Sequence, residues 1–492
     1  MDNKKFKELD AIFNPRSIAV IGASKDRGRA GSAYFLGILE SGFKGKLYPV
    51  NNSCEEVFGV KAYCSLGDIP GPVDNVIVIV PKAGVLKVLD ECGRKKVRLV
   101  QLFTAGYSEI SGEEGKKEER QLAQKAGKWG FRLVGPNCVG VSRPAINLPL
   151  GPESILVAPG SAGFVSQSGS LSLRVAHLGD LSGVGFSKLV SFGNGCDLDS
   201  LDFLGYLLDD PETKTVSTYL EGSHDGTRLL ELFKTGSRKK PIIVWKGGTT
   251  AAGARTASSH TGSMAGTPDV WGTALKQAGV IQVNGLEEMV DLLLGFQVLG
   301  RLPGDRVTIL SGFSNGGGGE SVVAADVCTS AGLKVPSLTR ETRRLLGDTL
   351  GVVGSILHNP VDVSQAHGDP ERVNRAVELA AADPNIDVVI FEAVLDFLCS
   401  WLSPEKFKEL FDRLINLKGK TNKPFVAVLP AGRLQRERDE LVKRLLSAGI
   451  PVYPNLERAA LMLKRMNWYQ GFCNAGCVFS KSNLPGWSGI PS

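Results

Sequence analysis

Short apolar runs rich in β-branched residues alternate with helical stretches along almost the whole chain of 492 residues. In the first part of the chain these runs occur at residues 17–21, 45–50, 75–80 and 99–103, with helical patterns between them. Strands that alternate with helices pair in parallel, because each connecting helix crosses over one face of the sheet. The alternation therefore predicts an α/β protein that is built on parallel sheets.

The length favours about three domains, and the pattern of strands predicts that they cover residues 1–150, 151–302 and 303–470. The second and third domains open alike, each with a strand, a Ser/Gly-rich turn at residues 166–170 or 314–319, and a helix. This weak internal repeat predicts two related flavodoxin-like domains. Residues 471–492 are rich in Gly, Ser, Pro and Asn, and we predict a poorly ordered tail there.

Composition excludes several classes of protein. The net charge of +6 is mild for this length, and no basic run is interleaved with aromatic residues as a nucleic-acid site requires. No apolar run approaches the roughly 20 residues that span a bilayer, so we expect a cytoplasmic protein that does not bind membranes. The nine cysteines are scattered, and Cys473 and Cys477 alone lie close together, which predicts neither a metal site nor a disulfide framework.

A Gly-rich turn at residues 22–31 connects the first predicted strand to a helix. Such a turn exposes backbone N–H groups and the positive end of a helix to a phosphate. The spacing is not G-x-G-x-x-G, and the second strand ends in Val50, Asn51 and Asn52 rather than in an acid. A nicotinamide-dependent reductase is therefore disfavoured, and a phosphorylated ribose fits better. The alternative is a tight turn that binds nothing.

The two later turns repeat this arrangement and could bind anions at Ser168, Gly169 and Ser170 and at Gly316 and Gly317. Helix capping alone is the other interpretation of each turn. Residues 312–316 also match the G-x-S-x-G pattern of serine hydrolases, with Ser314 as nucleophile. That hypothesis needs a downstream histidine, and His358 and His367 are both followed by about a hundred residues of α/β pattern. A serine hydrolase is therefore a minor alternative.

His260 lies among small residues at positions 249–266, which we interpret as a flexible loop. An imidazole with a pKa of roughly 6.5 is mostly neutral and nucleophilic at physiological pH, so a mobile histidine is suited to carry a group. Glu221 follows the strand at residues 216–220, and the strand at 241–246 leads to the same edge of the sheet. A carboxylate there would orient the imidazole. The alternatives are a surface histidine and an exposed strand end.

These stretches, in this order, resemble the NDP-forming acyl-CoA synthetases, and specifically the CoA-ligase part that is related to the alpha subunit of succinyl-CoA synthetase. The resemblance implies a Rossmann-like CoA-binding domain followed by two flavodoxin-like CoA-ligase domains. It covers most of residues 10–465. The matching stretches are residues 14–24, 48–51, 135–140, 166–169, 219–222, 259–262 and 359–362.

The resemblance implies a reaction in three stages: formation of an acyl phosphate, phosphoryl transfer through a histidine, and thioester formation with CoA. His260 matches the phosphorylated histidine, Glu221 the carboxylate that holds it, and Ser168 and Gly169 the helix terminus that receives phosphate. The implied CoA-binding residues are Gly22, Ala23, Ser24, Lys25, Val50, Asn51, Val80, Pro81, Lys82 and Asn137.

The chain departs from the family pattern in two mild ways and in one larger way. Asn52 replaces the usual proline, and Tyr107 replaces a frequent phenylalanine. More importantly, the three domains leave no segment for an ATP-grasp fold. The resemblance therefore implies a separate beta-type ATP-grasp subunit that binds ATP or ADP and Mg²⁺, in a heterotetramer or related assembly. A CoA-binding regulatory subunit without turnover is the alternative, and the carboxylic acid is left open.

Overall fold

A computed structural model describes residues 1–52, 55–153, 155–261, 268–313, 317–352, 355–366 and 368–478. The chain forms two compact units, Met1–Leu293 and Leu294–Ser492. The first unit holds two of the parallel sheets and the second unit holds another. The predicted α/β class with parallel sheets is confirmed, whereas the three predicted domain boundaries stay predictions.

The first sheet has the strand order β2-β1-β5-β6-β7, and all of its pairings are parallel. Its central strands are buried along their whole length, as expected where helices cover both faces. The elements are α1 (Asn3–Phe13), β1 (Ser17–Ile21), α2 (Ala30–Glu40), β2 (Lys46–Val50), β3 (Glu56–Val57), β4 (Val60–Lys61), β5 (Asn75–Val78), α3 (Lys82–Lys95), β6 (Leu99–Leu102), α4 (Ser108–Trp129) and β7 (Arg132–Val134), with a 3-10 turn at Leu66–Asp68.

The second sheet has the order β13-β12-β11-β9-β10-β8, in which β8 alone of these strands pairs antiparallel. Its elements are β8 (Gly140–Ser142), β9 (Pro159–Ser166), α5 (Gly169–Ser182), β10 (Phe186–Ser191), α6 (Ser200–Asp209), β11 (Thr215–Leu220), α7 (Gly226–Gly236), β12 (Ile242–Lys246), α8 (Ala251–Thr261), α9 (Pro268–Gln277), β13 (Ile281–Val283) and α10 (Leu286–Leu299), with a 3-10 turn at Pro144–Ile146.

The sheet of the second unit has the order β15-β14-β16-β17-β18, again with parallel pairing. Its elements are β14 (Val307–Ser311), α11 (Gly317–Ser330), α12 (Arg340–Leu350), β15 (Val361–Asp362), α13 (Pro370–Ala382), β16 (Val388–Glu392), α14 (Leu395–Trp401), α15 (Pro404–Lys420), β17 (Phe425–Val428), α16 (Gln435–Ser447), β18 (Val452–Tyr453) and α17 (Leu456–Val478), with a 3-10 turn at Ser364–Ala366.

The internal repeat is visible in the strand orders. In the second sheet the opening strand β9 lies between β10 and β11, and β12 and β13 follow outward. In the third sheet β14 lies between β15 and β16, and β17 and β18 follow in the same way. Doubly wound sheets bind ligands at the carboxyl ends of the strands where the order reverses. For these two sheets, that position lies after β9 and β11 and after β14 and β16.

One apolar core joins the two sheets of the first unit. Leu99 and Val134 of the first sheet and Val165 and Val190 of the second sheet belong to the same buried cluster. Helix α1 packs on this core, since the ring of its Phe13 stacks on Tyr206 with the ring centroids 5.1 Å apart. Because this shared core is closely packed, it fixes the position of the carboxyl edge of one sheet relative to that of the other.

Two predictions about local structure were wrong. Residues 251–261, which we predicted to lie in a flexible loop, form helix α8. The segment is rich in alanine, the residue with the highest helix propensity, and small size alone does not prevent a helix. Helix α17 continues through residue 471, where we placed the start of the tail, to Val478. Residues 262–267 and 479–492 lie outside the described residues.

Candidate active site

A cleft of about 450 Å³ lies at the carboxyl edges of the two sheets of the first unit. It is lined by residues 79–81 after β5, 103–105 after β6, 137–139, and 167–170 after β9. Three segments that the sequence singled out therefore meet in one place: Val80 and Pro81, the segment that contains Asn137, and the turn at Ser168 to Ser170.

The turn after β1 has a backbone that requires glycine. Gly22 has φ of +102°, and a Cβ atom there would lie 2.1 Å from the carbonyl oxygen of Ile79. A Cβ atom on Gly31 at the start of α2 would lie 2.3 Å from the carbonyl oxygen of Gly22. Glycine at both positions lets the turn approach β5 and α2 closely. This close approach is what a phosphate-binding strand–turn–helix needs.

The end of β2 fixes the shape of the same turn. The carbonyl oxygen of Val50 accepts a hydrogen bond from the N–H of Gly22 at 3.0 Å. The side-chain amide of Asn51 donates to the carbonyl oxygen of Ala23 at 2.5 Å. Val50 and Asn51 therefore contact the predicted CoA turn directly, as structural supports.

The outer part of this turn is positively charged. Ser24 is held by the hydroxyl of Ser32, which accepts from its N–H at 3.1 Å and donates to its carbonyl oxygen at 2.8 Å. Lys25, Arg27 and Arg29 follow and are exposed, and the carboxylate of Asp26 forms an ion pair with Arg29, so the turn has a net positive charge. Helix α2 begins after Arg29 without a side-chain cap. Cations next to an uncapped helix N-terminus attract a phosphate.

Lys82 does not line the cleft. Its ammonium group donates to the carbonyl oxygen of Gly106 at 2.6 Å and to Glu118 at 2.5 Å. It also lies 4.8 Å from the centre of the ring of Tyr107. The charge of Lys82 thus joins α3 to the loop before α4, and its contact with CoA stays a prediction.

Backbone contacts hold Asn137 at the cleft. Its φ is +57°, and its N–H donates to the carbonyl oxygen of Thr104 at 3.1 Å. A Cβ atom on Gly193 would lie 2.3 Å from the carbonyl oxygen of Asn137, so the loop after β10 packs directly against it. Burial raises the pKa of the adjacent Cys138 thiol to about 12. That thiol is neutral and is not a nucleophile.

The turn after β9 brings a helix N-terminus to the cleft. The hydroxyl of Ser168 caps α5 by accepting from the N–H of Leu171 at 3.4 Å. The hydroxyl of Ser166 donates to the carbonyl oxygen of Ser168 at 2.7 Å. Gly169 is required because a Cβ atom there would lie 2.7 Å from a methyl group of Val139. Ser168, Gly169 and Ser170 therefore present the positive end of α5 to the cleft.

Glu221 lies beside this turn, at the end of β11, and its side chain is 8% exposed. Its N–H donates to Oε1 of Gln167 at 3.0 Å, and the hydroxyl of Tyr219 donates to its carboxylate at 3.2 Å. Burial and the neighbouring carboxylate raise the pKa of Tyr219, which keeps the phenol protonated as a donor. The carboxylate is thus held rigidly next to the cleft.

Lys246 is a buried cation next to Glu221. Its side chain is 4% exposed, and its ammonium group donates to the carbonyl oxygen of Glu221 at 2.8 Å and to that of Gly247. Burial lowers the pKa of Lys246, and the charge of Glu221 opposes that shift. Sequence reasoning missed both Gln167 and Lys246. The signal for Lys246 was a charged residue at the end of an otherwise apolar strand.

Comparisons with known proteins agree with this geometry. Residues 16–144 match the CoA binding domain family, and residues 159–296 match the succinyl-CoA ligase like flavodoxin domain family. The alpha subunit of ADP-forming acetate–CoA ligase II from Pyrococcus furiosus is 40% identical over 92% of this chain and 96% of its own length. The alpha subunit of acetate–CoA ligase I from the same organism is 38% identical over 93% and 97%.

The chain belongs to the ADP-forming acyl-CoA synthetase family.

A solved structure of a family member shares the fold. The acetyl-coenzyme A synthetase 1 of Ca. Korarchaeum cryptofilum, in complex with phosphate and ADP, superimposes with a TM-score of 0.83. It is 30% identical and covers 96% of this chain and 99% of its own. Another member, ADP-forming acetate–CoA ligase I of Archaeoglobus fulgidus, is a longer protein. The match covers 79% of this chain but 56% of that relative. The resemblance inferred from the sequence is confirmed.

The phosphohistidine predicted for this family falls at the edge of what the structure describes. The backbone of His260 lies in α8, but the position of its imidazole is outside the described residues. Strand β12 pairs with β11 so that Lys246 lies opposite Leu220, and α8 begins shortly afterwards at Ala251. The helix that carries His260 therefore starts at the same sheet edge as Glu221.

The equivalent turn of the second unit, between β14 and α11, has a carboxylate beside the start of its helix. Ser314 and Gly316 lie outside the described residues, so the hydrolase nucleophile and one predicted phosphate contact fall there. Gly317 begins α11, and the carboxylate of Asp362 packs directly against it: a Cβ atom on Gly317 would lie 1.8 Å from Oδ1. Phosphate binding at Gly316 and Gly317 stays a prediction.

Within the described part of the chain, no group of three or more His, Cys, Asp or Glu side chains is placed to hold a metal ion. No helix there is both long and apolar enough to cross a membrane.

Proposed function

We propose that this chain is the CoA-ligase subunit that interconverts a carboxylic acid, CoA and ATP with an acyl-CoA, ADP and phosphate, through an acyl phosphate and phosphorylated His260. The observation that carries the proposal is the single cleft shared by Val80, Pro81, Asn137 and the Ser168 turn. Formation of an acyl phosphate from an acyl-CoA requires the thioester and the phosphate to lie next to each other, and these segments meet in this cleft. The proposed substrate is a small carboxylic acid. The support is that the relatives are named as ligases of acetate, which is such an acid.

CoA binds with its nucleotide on the turn at Gly22 to Lys25 and its thiol toward Asn137. The support for this orientation is the uncapped start of α2 beside Lys25 and the approach of the turn to β5, whose end lines the cleft. Phosphates prefer such helix termini. The thiol then lies where residues 103–105 and 137–139 enclose it.

Phosphate binds at the first turn of α5. In the direction that consumes acyl-CoA, a phosphate oxygen attacks the thioester carbonyl, the C–S bond breaks, and CoA leaves as the thiol after protonation. The hydroxyls and helix amides at Ser168 to Ser170 stabilise the negative charge of the acyl phosphate. The phosphoryl group then passes to the imidazole of His260, and the carboxylate leaves.

Glu221 holds the histidine during this transfer. Its carboxylate accepts the N–H of one ring nitrogen, which leaves the other ring nitrogen free to attack phosphorus. Tyr219 fixes the carboxylate, and Lys246 ties the end of β11 to the start of the segment that leads to α8.

The nucleotide half of the reaction belongs to a partner. We infer a separate ATP-grasp subunit that binds ATP or ADP with Mg²⁺, in a heterotetramer or a related assembly. The support is that two relatives matched along almost their whole length are named as alpha subunits, whereas longer relatives contain additional sequence.

Labelling of His260 tests the proposal. The chain is co-purified with the subunit that is expressed with it and is incubated with Mg²⁺ and ATP that carries a radioactive γ-phosphate. We expect acid-labile label on the wild type and on His177→Ala, an exposed histidine of α5, and none on His260→Ala. Normal labelling and turnover of His260→Ala would contradict the proposal. CoA binding without any phosphorylation would favour the regulatory alternative instead.

A further inference from the structure

Gln167 occupies the point where β9, β11 and the cleft meet. Its backbone N–H donates to the carbonyl oxygen of Tyr219 at 3.2 Å, which extends the pairing of β9 with β11 by one residue. It directly precedes Ser168, the cap of α5. The residue is therefore positioned by the sheet on one side and by the helix on the other.

The side-chain amide of Gln167 is oriented by a hydrogen bond from Glu221. Its Oε1 accepts the N–H of Glu221 at 3.0 Å. A carboxamide has one acceptor oxygen and one donor NH₂ group, so this bond directs the NH₂ group elsewhere. That group donates to none of the residues that the structure describes, and Gln167 lines the cleft together with Ser168, Gly169 and Ser170.

We propose that Gln167 is a catalytic residue whose Nε2 donates a hydrogen bond to a non-bridging oxygen of the phosphoryl group during transfer between the acyl phosphate and His260. The inference rests on the proposed function. The oxygens of a phosphoryl dianion can only accept hydrogen bonds. The Gln167 side chain suits them because its NH₂ group is a neutral donor and its oxygen is occupied by the N–H of Glu221. The side chain also holds the backbone of Glu221, so one carboxamide connects the group in transfer with the carboxylate that orients the histidine.

The transfer step balances without any further reactant. The bond between the carboxylate oxygen and phosphorus breaks with its electron pair on the carboxylate. The bond between phosphorus and the unprotonated ring nitrogen of His260 forms, and the proton on the other ring nitrogen stays on the ring, toward Glu221. Catalysis of phosphoryl transfer depends on donors that are placed before the reaction on oxygens that carry charge. Gln167 adds one donor to those of α5.

Two substitutions separate this role from a structural one. Gln167→Glu keeps an oxygen that accepts the N–H of Glu221, but it replaces the donor with a negative charge. Gln167→Met has a similar length and is neutral, but it removes both the acceptor and the donor. The probe is acetyl phosphate with the complete complex, and the readout is the rate at which acid-labile phosphate appears on His260. Gln124→Glu, an exposed change on α4, is the matched charge control.

We expect Gln167→Met to slow phosphorylation about 100-fold, the low end of the range for the loss of a single donor to a transition state, and Gln167→Glu to slow it at least as much, because it also adds a negative charge. CoA binding should be unchanged in both variants, and Gln124→Glu should behave as the wild type. If Gln167 only anchored Glu221, Gln167→Glu would be close to wild type and Gln167→Met would be the impaired variant. That order would overturn the inference. A wild-type complex that acquires phosphate on His260 neither from acetyl phosphate nor from ATP with Mg²⁺ would instead reject the proposed function.

A pH profile gives an independent readout. A protonated glutamic acid at position 167 has an O–H donor, whereas the carboxylate, with an ordinary pKa of about 4.3, has none. The defect of Gln167→Glu relative to wild type should therefore shrink as the pH is lowered from 8 to 5. A defect that is constant over this range would show that the donor is not what the variant lacks.

Discussion

Two strand–turn–helix motifs of this molecule look equivalent in sequence but have different surroundings in the structure. In the first unit, β9 leads through Ser168 into α5, and the first turn of that helix lines the cleft. In the second unit, β14 leads through a glycine-rich turn into α11, and the carboxylate of Asp362 lies against Gly317 at its start. Apart from the additional edge strand β8, the strand orders of the two sheets are the same. The fold therefore does not decide which groups lie in front of each helix terminus.

The two helix termini differ in whether the protein itself supplies a negative charge in front of them. The N-terminus of a helix favours negative charge near it. At α11 the chain supplies that charge itself, because Asp362 is 2% exposed and accepts the N–H of Ser364 at 2.8 Å. At α5 the cap is the neutral hydroxyl of Ser168, and the cleft is open in front of it. The open terminus is the one that is suited to phosphate.

The third strands of the two sheets differ in a related way. Glu221 after β11 has a phenol and a buried cation beside it, Tyr219 and Lys246. Glu392 at the end of β16 faces Glu320 and Glu457, and burial, followed by these two carboxylates, raises its pKa. The carboxylate of Glu221 accepts a hydrogen bond from Tyr219, whereas the charge of Glu392 is disfavoured by its surroundings.

The largest expected effect comes from giving α5 the internal anion that α11 has. Ser168→Asp keeps a good helix cap but places a carboxylate where we propose that phosphate binds. We expect the phosphate-dependent breakdown of acyl-CoA to fall at least about 100-fold, because like charges repel and a donor hydroxyl is lost. The rate is measured in the complete complex from the release of free CoA thiol.

Ser168→Asn is the matched control, since it caps the helix equally well without charge. It should lose much less activity than Ser168→Asp, because its neutral side-chain amide can still donate a hydrogen bond, and both variants should unfold at the same urea concentration as the wild type. If Ser168→Asp were as active as Ser168→Asn, then the open helix terminus would not be the phosphate site, and the contrast with α11 would have no functional meaning.

Removing the cation beside Glu221 should have the next largest effect. Lys246→Met keeps the length of the buried side chain and loses the bonds to the carbonyl oxygens of Glu221 and Gly247. We expect phosphorylation of His260 to slow about 10-fold, the scale seen when the supports of a catalytic group are lost. CoA binding, which depends on the turn after β1, should not change. Wild-type phosphorylation of Lys246→Met would show that the lysine is only structural.

The sheets, their order and the strand-end sites follow from the alternation of strands and helices. Gln167 and Lys246 could not be found in this way, because their roles depend on register. Tyr219 pairs with Ser166, which brings Gln167 beside Glu221, and Lys246 reaches Glu221 because it pairs with Leu220. A sequence pattern predicts which strands exist but not which residues of neighbouring strands face each other.

Two further differences have equally local causes. Asp362 comes from β15, so its contact with Gly317 is a long-range pairing that the repeat of the two turns does not report. Residues 251–261 were predicted to lie in a loop because they are small, and yet alanine is the best helix former. Alanine lowers the apolar burial of a segment without lowering its helix propensity.

Asp362→Asn tests the other half of the comparison and should act on stability rather than on chemistry. The amide can still accept from the N–H of Ser364, but the charge at the start of α11 is lost. We expect the free energy of unfolding in urea to fall by about 1–2 kcal/mol, with normal phosphorylation of His260. If the variant were as stable as wild type, or if phosphate stabilised the wild-type second unit, Gly317 would belong to a ligand site after all.

The smallest effect is expected from Glu392→Gln, and its sign depends on pH. Because the folded state raises the pKa of Glu392, the glutamate contributes fully to stability below its unfolded pKa of about 4.3 and loses that contribution as the pH rises through the folded pKa. Removing the charge should therefore stabilise the protein at pH 7 by about 0.5 kcal/mol, the scale of single charge interactions near a surface. The gain should vanish near pH 4, and Glu437→Gln, an exposed change on α16, should show neither effect. A loss of stability at pH 7 would mean that the charge of Glu392 is favourable in the folded protein, and the contrast between the two strand ends would disappear.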